Sequence, residues 1–133
     1  MNDDPDVVAP RLGVVVVGAG SGTRLGGVDK AFLDLAGQPM IAHSVASFAA
    51  LEVVAAIVLV VAPNRLGEAH DAVRHGAWSK VVAVVSGGAS RQESVMNGLR
   101  ALPELPLVAI HDAARPLVTP DVILAGVESA TRH

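Results

Sequence analysis

The stretch from residue 12 to residue 30 reads Leu-Gly-Val-Val-Val-Val-Gly-Ala-Gly-Ser-Gly-Thr-Arg-Leu-Gly-Gly-Val-Asp-Lys. Its apolar half, Leu12–Val17, predicts a parallel strand that is buried on both faces. The glycines that follow allow backbone N–H groups to surround an anion without side chains in the way. Arg24 and Lys30 add positive charge where a polyphosphate carries negative charge. The stretch therefore predicts a nucleotide-phosphate site directly after a buried strand.

Two familiar phosphate loops fit this stretch poorly. The P-loop ends in Gly-Lys-Ser/Thr, whereas Gly22 is followed here by Thr23 and Arg24. The dinucleotide fingerprint needs a helix directly after the glycines and an acidic residue ending the second strand, which here ends in the uncharged run 62–64. A glycine-rich turn alone is equally compatible with a strand-to-helix turn that binds nothing. The downstream cations favour the phosphate site.

Composition limits the class of protein. The 133 residues are enough for one domain, and 51% are hydrophobic but only 2% aromatic, as expected for parallel strands covered by helices. A net charge of −3 without a basic tract argues against nucleic-acid binding. Without cysteine, disulfides and thiol chemistry are excluded. The longest apolar run, 53–62, is too short for a membrane span, and the acidic start is unlike a signal peptide. We expect a cytoplasmic domain with no membrane partner.

Strand and helix patterns alternate along the chain. This alternation predicts an α/β fold, a doubly wound, mostly parallel sheet with helices on both faces. We expect a flexible N-terminal segment at 1–11 and a domain from residue 12 to residue 133. The predicted strands are Leu12–Val17, Ile57–Val61, Lys80–Val85 and Leu107–His111, and the predicted helices are Met40–Ala50, Arg65–His75, Ser90–Ala101 and one from about Pro120 onward.

A second polar cluster follows the third predicted strand. Gly87 and Gly88 permit close backbone approach, which a flat nucleobase requires. Ser94, in the first turn of the next helix, either offers a hydroxyl to a base edge or satisfies backbone groups at the helix start. Arg91 lies at a helix N-terminus, where a cation is unfavourable unless an anion compensates it. This cluster therefore favours a nucleotide contact.

The third cluster, at 111–116, follows the fourth predicted strand. Asp112 stands where a magnesium ligand is common, although a turn or capping role is the more frequent one. Arg115 adds a two-pronged anion clamp. We interpret His111 as structural, since it has no partner at metal-binding spacing. The other four histidines lie on predicted helices or at the terminus and receive the same interpretation: His43, His70, His75 and His133. Because ligands of such sheets bind at the carboxyl ends of strands, we expect all three clusters to form one site.

Four segments together resemble a known family. They are Gly-Ala-Gly-Ser-Gly-Thr-Arg at 18–24, Asp-Lys-Ala-Phe-Leu at 29–33, Gly-Gly-x-x-Arg-x-x-Ser-Val-x-x-Gly-Leu at 87–99 and His-Asp-Ala-Ala-Arg-Pro at 111–116. In this order they resemble 2-C-methyl-D-erythritol 4-phosphate cytidylyltransferase, over about residues 12 to 126. The resemblance implies a Rossmann-like nucleotidyltransferase fold. It also implies CMP transfer from CTP to the polyol phosphate with release of pyrophosphate, in non-mevalonate isoprenoid biosynthesis.

The resemblance also implies roles for individual residues. The catalytic charges would be Arg24 and Lys30, and Asp112 would hold Mg²⁺. Arg115 would lie towards the polyol phosphate. The implied nucleotide-binding residues are Gly18, Ala19, Gly20, Gly22, Gly88, Ala89, Arg91 and Ser94.

The chain departs from the family pattern at several points. Val17 and Gly18 stand where the family usually has proline and alanine. Asp29 replaces a proline and would partly neutralise Lys30, and Ala89 replaces a residue that is polar in some relatives. The sequence also ends before the part that would complete the acceptor site and the homodimer. We therefore expect a truncated N-terminal part of a nucleotidyltransferase domain, which is inactive alone, and we expect the homodimer of the full-length family only. The alternatives are a ribitol-5-phosphate or other sugar- or polyol-phosphate nucleotidyltransferase, and a non-catalytic nucleotide-binding module.

Overall fold

The computed structural model describes residues 11–18, 24–25 and 28–113. Its main sheet has four strands and is accompanied by three helices. These are β1 (Leu12–Gly18), α1 (Met40–Ala49), β2 (Val54–Val61), α2 (Leu66–Gly76), β3 (Val81–Ser86), α3 (Arg91–Ala101) and β4 (Leu107–Asp112). Two short antiparallel pairs, Arg24–Leu25 with Val28–Asp29 and Asp34–Leu35 with Gln38–Pro39, and two 3₁₀ turns, Lys30–Phe32 and Pro63–Arg65, complete the description.

The four strands are parallel and lie in the order β3-β2-β1-β4. The chain moves outward from β1 through β2 to β3, and then crosses back to place β4 on the other side of β1. This reversal of direction is what a doubly wound sheet requires. The predicted fold class is confirmed.

Helices cover both faces of the sheet. On one face, Val14 and Val16 belong to the same core as Ile41 and Phe48 of α1, and α2 packs into this core as well. On the other face, Val15 and Val17 form a second core with partly buried side chains of α3. The alternation of β1 side chains between the two cores follows from strand geometry. It explains why this strand contains only apolar residues and glycine.

The observed element bounds lie close to the predicted ones. The largest difference is at β2, which begins at Val54 rather than Ile57 because its first residues continue the pairing with β1, where Val54 lies opposite Leu12. Helix α2 begins at Leu66, because the preceding turn with Pro63 is 3₁₀. The predicted helix from about Pro120, and residues 1–10 of the predicted N-terminal segment, lie outside the described residues.

The outer strands leave apolar side chains in contact with solvent. Val108 and Ile110 of β4 are 47% and 37% exposed, and Val82 of β3 is 52% exposed. In β4, Leu107 and Ala109 pack into the α1 core, so Val108 and Ile110, which alternate with them, point to the α3 side.

In the part of the chain described here, no helix is long and apolar enough to cross a membrane.

Helix α3 approaches the sheet closely at Gly98. A Cβ atom there would lie 2.4 Å from Val15 Cγ1 and 2.8 Å from Val60 Cγ2. We expect Gly98→Ala to lower the free energy of unfolding by about 2 kcal/mol, because α3 must move away from a packed core. Gly67→Ala is the matched control, since nothing lies within 4 Å of its Cβ position. This control should stabilise α2 by about 0.5–1 kcal/mol. Equal effects of both changes in urea unfolding would contradict the packing described.

Candidate nucleotide-binding site

Two of the three predicted clusters meet where the strand order reverses. Val17 of β1 lies opposite Asp112 of β4, and the backbone N–H of Ala113 donates to the carbonyl of Val17 at 2.9 Å. Gly18, the next residue of β1, is paired on its other side with Val61 of β2. The start of the glycine-rich loop and Asp112 therefore lie on adjacent strands. This is the position where open α/β sheets bind ligands.

The turn that carries Lys30 packs directly against the end of β1. A Cβ atom on Gly18 would lie 3.0 Å from Ala31 Cβ and 3.6 Å from Ile41 Cδ1. Ala31 itself is fully buried. Glycine at position 18 thus allows the Lys30–Phe32 turn to approach β1, and this places Lys30 beside the carboxyl end of the strand. The sequence interpretation assigned Gly18 to the phosphate loop, and the structure adds this packing role.

Only part of the glycine-rich loop can be placed. The backbone of Arg24 pairs with that of Asp29 in a short antiparallel ribbon that leads into the Lys30 turn. The side chain of Arg24 lies outside the described part of the structure. Four other predicted site residues lie wholly outside the described ranges: Ala19, Gly20, Gly22 and Arg115. Their predicted roles stay predictions.

Ser94 is fully buried and bonded to the loop that precedes α3. Its hydroxyl donates to the carbonyl of Ser90 at 3.0 Å and accepts from the backbone N–H of Gly88 at 3.1 Å. Of the two roles that the sequence left open, the structure shows the backbone-satisfying one. Ser94 thereby fixes the loop whose backbone was predicted to face a nucleobase.

Glu93 is a loop-shaping residue that the sequence interpretation missed. Ser90 caps α3 by accepting from the N–H of Glu93 at 3.1 Å, and a Glu93 carboxylate oxygen accepts from the N–H of Ala89 at 2.8 Å. A Cβ on Gly88 would lie 2.3 Å from this carboxylate and 2.5 Å from Glu93 Cβ. The close approach at Gly88 is therefore made by Glu93. The Ser-x-x-Glu spacing of a capping box was the signal available in the sequence.

The Gly87–Ser90 loop lies at the same end of the sheet as Gly18. The N–H of Gly87 donates to the carbonyl of Val61 at 2.8 Å, and Asn97 donates to the carbonyl of Ser86 at 3.1 Å. Since β2 separates β3 from β1, this loop is about 10 Å from the end of β1 across the sheet. Arg91 is exposed and makes no ion pair within the described ranges. A base and a phosphate chain of one nucleotide can span this separation.

Asp112 is the candidate metal ligand. It is half-buried at the carboxyl end of β4. Among the residues that the structure describes, no group of three or more His, Cys, Asp or Glu side chains forms a metal site. A single carboxylate fits a Mg²⁺ ion that is shared with substrate phosphates and does not fit a site built from protein ligands alone. His111 packs edge-on against Phe48, with ring centroids 5.3 Å apart, in agreement with its structural interpretation.

Comparison with known proteins matches the chain to a family model over most of its length. The family model described as "IspD: 2-C-methyl-D-erythritol 4-phosphate cytidylyltransferase" matches residues 12–133. The curated enzyme of that name from Dehalococcoides mccartyi is 43% identical over 120 residues, which are 90% of this chain and 53% of the relative. The bifunctional enzyme IspD/IspF of Clavibacter michiganensis is 48% identical over 128 residues, which are 92% of this chain and 31% of the relative.

Solved structures show the same fold. The 4-diphosphocytidyl-2C-methyl-D-erythritol synthase of Anaerococcus prevotii superposes with a TM-score of 0.74 at 21% identity, over 91% of this chain and 51% of the other. The 2-C-methyl-D-erythritol 4-phosphate cytidylyltransferase of Francisella tularensis gives 0.68 at 26% identity, over 92% and 53%. The chain thus spans about half the length of most of the relatives it matches.

Ser94 offers a test of the loop geometry that needs no nucleotide. Ser94→Ala leaves the Gly88 N–H without its acceptor, so we expect the free energy of unfolding to fall by about 1–2 kcal/mol. Ser79→Ala is the control, since Ser79 is exposed and its side chain makes no hydrogen bond within the described residues; it should change stability by less than about 0.5 kcal/mol. A Ser94→Ala protein as stable as the control in urea unfolding would refute the bonding described.

Proposed function

Because residues 12–133 match its model, this chain belongs to the IspD family of 2-C-methyl-D-erythritol 4-phosphate cytidylyltransferases, and we propose that the protein transfers CMP from CTP to 2-C-methyl-D-erythritol 4-phosphate. In this reaction a phosphate oxygen of the acceptor attacks the α-phosphorus of CTP. The bond between the α-phosphorus and the bridging oxygen breaks, and pyrophosphate leaves with that oxygen. This chain forms the N-terminal part of the catalytic domain.

The main support for the proposal is the set of residues that lie together where the strand order reverses. The end of β1, the Lys30 turn and Asp112 lie together there, as Val17 pairs with Asp112 and Ala31 packs on Gly18. A cation and a carboxylate for a shared metal ion, at the carboxyl end of parallel strands, match the chemistry of a magnesium–triphosphate.

Catalysis by these groups consists of positioning and charge neutralisation. Lys30 and Arg24 stabilise the negative charge that develops on the α-phosphoryl oxygens and on the leaving pyrophosphate. Asp112 would hold Mg²⁺, which supplies further charge neutralisation when bound. Arg115 lies towards the acceptor phosphate in this proposal. We propose that the backbone N–H groups of the glycine-rich loop bind the nucleotide phosphates, through Gly18, Ala19, Gly20 and Gly22.

The cytosine lies against the Gly87–Ser90 loop in this proposal. The backbone of Gly88 and Ala89 faces the base, and Arg91 supplies charge for the phosphates. Ser94 gives its hydroxyl hydrogen to Ser90 and holds the N–H of Gly88, so it shapes the cytosine site through the backbone. Recognition of CTP then depends on the geometry of a loop rather than on one side chain.

Lys30→Ala tests the proposed charge stabilisation. In the full-length protein we expect kcat for pyrophosphate release to fall by about two orders of magnitude, or about 3 kcal/mol, the scale of losing one preorganised donor. Lys80→Ala is the matched control, because Lys80 donates to the carbonyl of Leu51 at 2.5 Å and precedes β3 at the other end of the sheet. Its kcat should stay within about twofold of the parent. Unchanged turnover in Lys30→Ala would overturn this role.

Asp112→Asn tests the proposed metal contact. The amide keeps the shape of the side chain and loses its charge, so the Mg²⁺ concentration needed for half-maximal turnover should rise about tenfold or more. Glu104→Gln, at an exposed position in the α3–β4 connection, is the control and should leave this concentration unchanged. An identical Mg²⁺ dependence in both variants would remove Asp112 from the metal site.

The acceptor is tested by competition between substrates. Pyrophosphate release with 2-C-methyl-D-erythritol 4-phosphate should exceed that with ribitol 5-phosphate at least tenfold in kcat/KM, the scale of rejecting a substrate whose contacts are unmatched. The opposite ratio would favour the ribitol-5-phosphate enzyme. No turnover with any polyol phosphate, combined with CTP binding that is unchanged in Lys30→Ala, would favour a non-catalytic nucleotide-binding module.

We further propose that the full-length protein is cytoplasmic and forms a homodimer. Sedimentation of the full-length protein tests the homodimer.

A further inference from the structure

We infer that Arg65 is a positioning residue, which holds the Lys30 turn in place by stacking on Phe32. The inference rests on the proposed function insofar as Lys30 is catalytic. Arg65 lies in the 3₁₀ turn between β2 and α2, and no sequence pattern linked it to the phosphate site. It contacts no proposed substrate atom in this account and acts through another side chain.

The contact between the two side chains is a cation–π interaction. Arg65 Cζ lies 5.3 Å from the centroid of the Phe32 ring, within the range of about 6 Å in which such interactions are attractive. The guanidinium also forms an ion pair with Glu68, whose Oε1 atom is 2.5 Å from Arg65 Nη1. These two contacts give the Arg65 side chain a defined orientation over the ring.

Phe32 transmits this restraint to Lys30 because both lie in one 3₁₀ turn. The turn comprises Lys30, Ala31 and Phe32 and is closed by a bond from the N–H of Leu33 to the carbonyl of Lys30 at 3.3 Å. Ala31 is buried against Gly18. The turn is thus anchored at its middle residue by the buried Ala31 and at its last residue by Phe32, which packs at the edge of the α1 core and is covered by Arg65. With two anchors, the turn is restrained from rotating about the Ala31 contact.

The arginine–carboxylate ion pair on α2 shows what distinguishes Arg65. Arg74 contacts Asp71 at the same three-residue spacing as Arg65 and Glu68. Its side chain is 76% exposed, whereas that of Arg65 is 32% exposed, and only Arg65 stacks on an aromatic ring within the described residues. Both pairs have the same charge and the same sequence spacing. Arg74 is therefore the matched control for the loss of a helix-surface ion pair.

Proteolysis of the chain itself tests the contact without any assumption about activity. Lys30 and Lys80 are the two lysines of the sequence, so an endoproteinase specific for lysine has two cleavage sites. Cleavage after Lys30 requires the turn to open, because Ala31 is buried. We expect Arg65→Ala to raise the cleavage rate at Lys30 about fivefold relative to that at Lys80. Arg74→Ala should leave the cleavage rate at Lys30 unchanged. Equal rates at Lys30 in the Arg65→Ala and Arg74→Ala proteins would overturn the inference.

A double-mutant cycle in the full-length protein tests the link to catalysis. Arg65→Ala should lower kcat about tenfold with little change in the KM for CTP, because a displaced cation loses its effect mainly in the transition state. In a Lys30→Ala background, Arg65→Ala should lower kcat no further. A merely structural role would give multiplicative losses, and this result would overturn the inference. If instead Lys30→Ala alone leaves turnover unchanged, the proposed function of Lys30 fails, while the proteolysis result still decides whether Arg65 holds the turn.

Discussion

Burial of β1 on both faces and along both edges is the constraint on which the rest of the molecule depends. Val14, Val15 and Val16 have no exposed surface, and the pairing with β2 and β4 satisfies the backbone on both sides. Each such side chain contributes about 1.5–3 kcal/mol through removal from water. Because β1 lies between β2 and β4, the residues that follow the carboxyl ends of these three strands are brought together. Gly18 and Asp112 are neighbours because their strands are paired.

The candidate site is rigid where its residues also belong to the core. Ala31 is part of the core that includes α1, and the residue before it is Lys30. Gly18 ends a core strand and begins the glycine-rich loop. The same atoms therefore stabilise the fold and orient the groups proposed to meet the phosphates. Substitutions at such positions change stability and activity together, which is why the tests above separate the two with matched controls.

Sequence reasoning recovered the elements well and the contacts between distant residues poorly. The β-branched runs and the caps, such as Ser90 before α3, are local signals, so the bounds of α3 and β4 were predicted to within a residue. The start of β2 was missed, because Val54 joins the sheet through its neighbour in β1. The stacking of Arg65 on Phe32 joins two loops whose proximity only the folded sheet creates. No spacing rule within either segment could have revealed it.

The two sides of the candidate site are held by different forces, and this difference has consequences for nucleotide entry. The Lys30 turn is anchored by a fully buried methyl group, whereas Ala89, Ser90 and Glu93 at the Gly87–Ser90 loop are exposed. Hydrogen bonds in such a setting contribute only about 1 kcal/mol each, because water competes for the same groups. Local opening of the Ala89–Ser90 part of this loop therefore costs less than opening of the Lys30 turn. In the arrangement proposed above, the cytosine meets the more adjustable of these two segments.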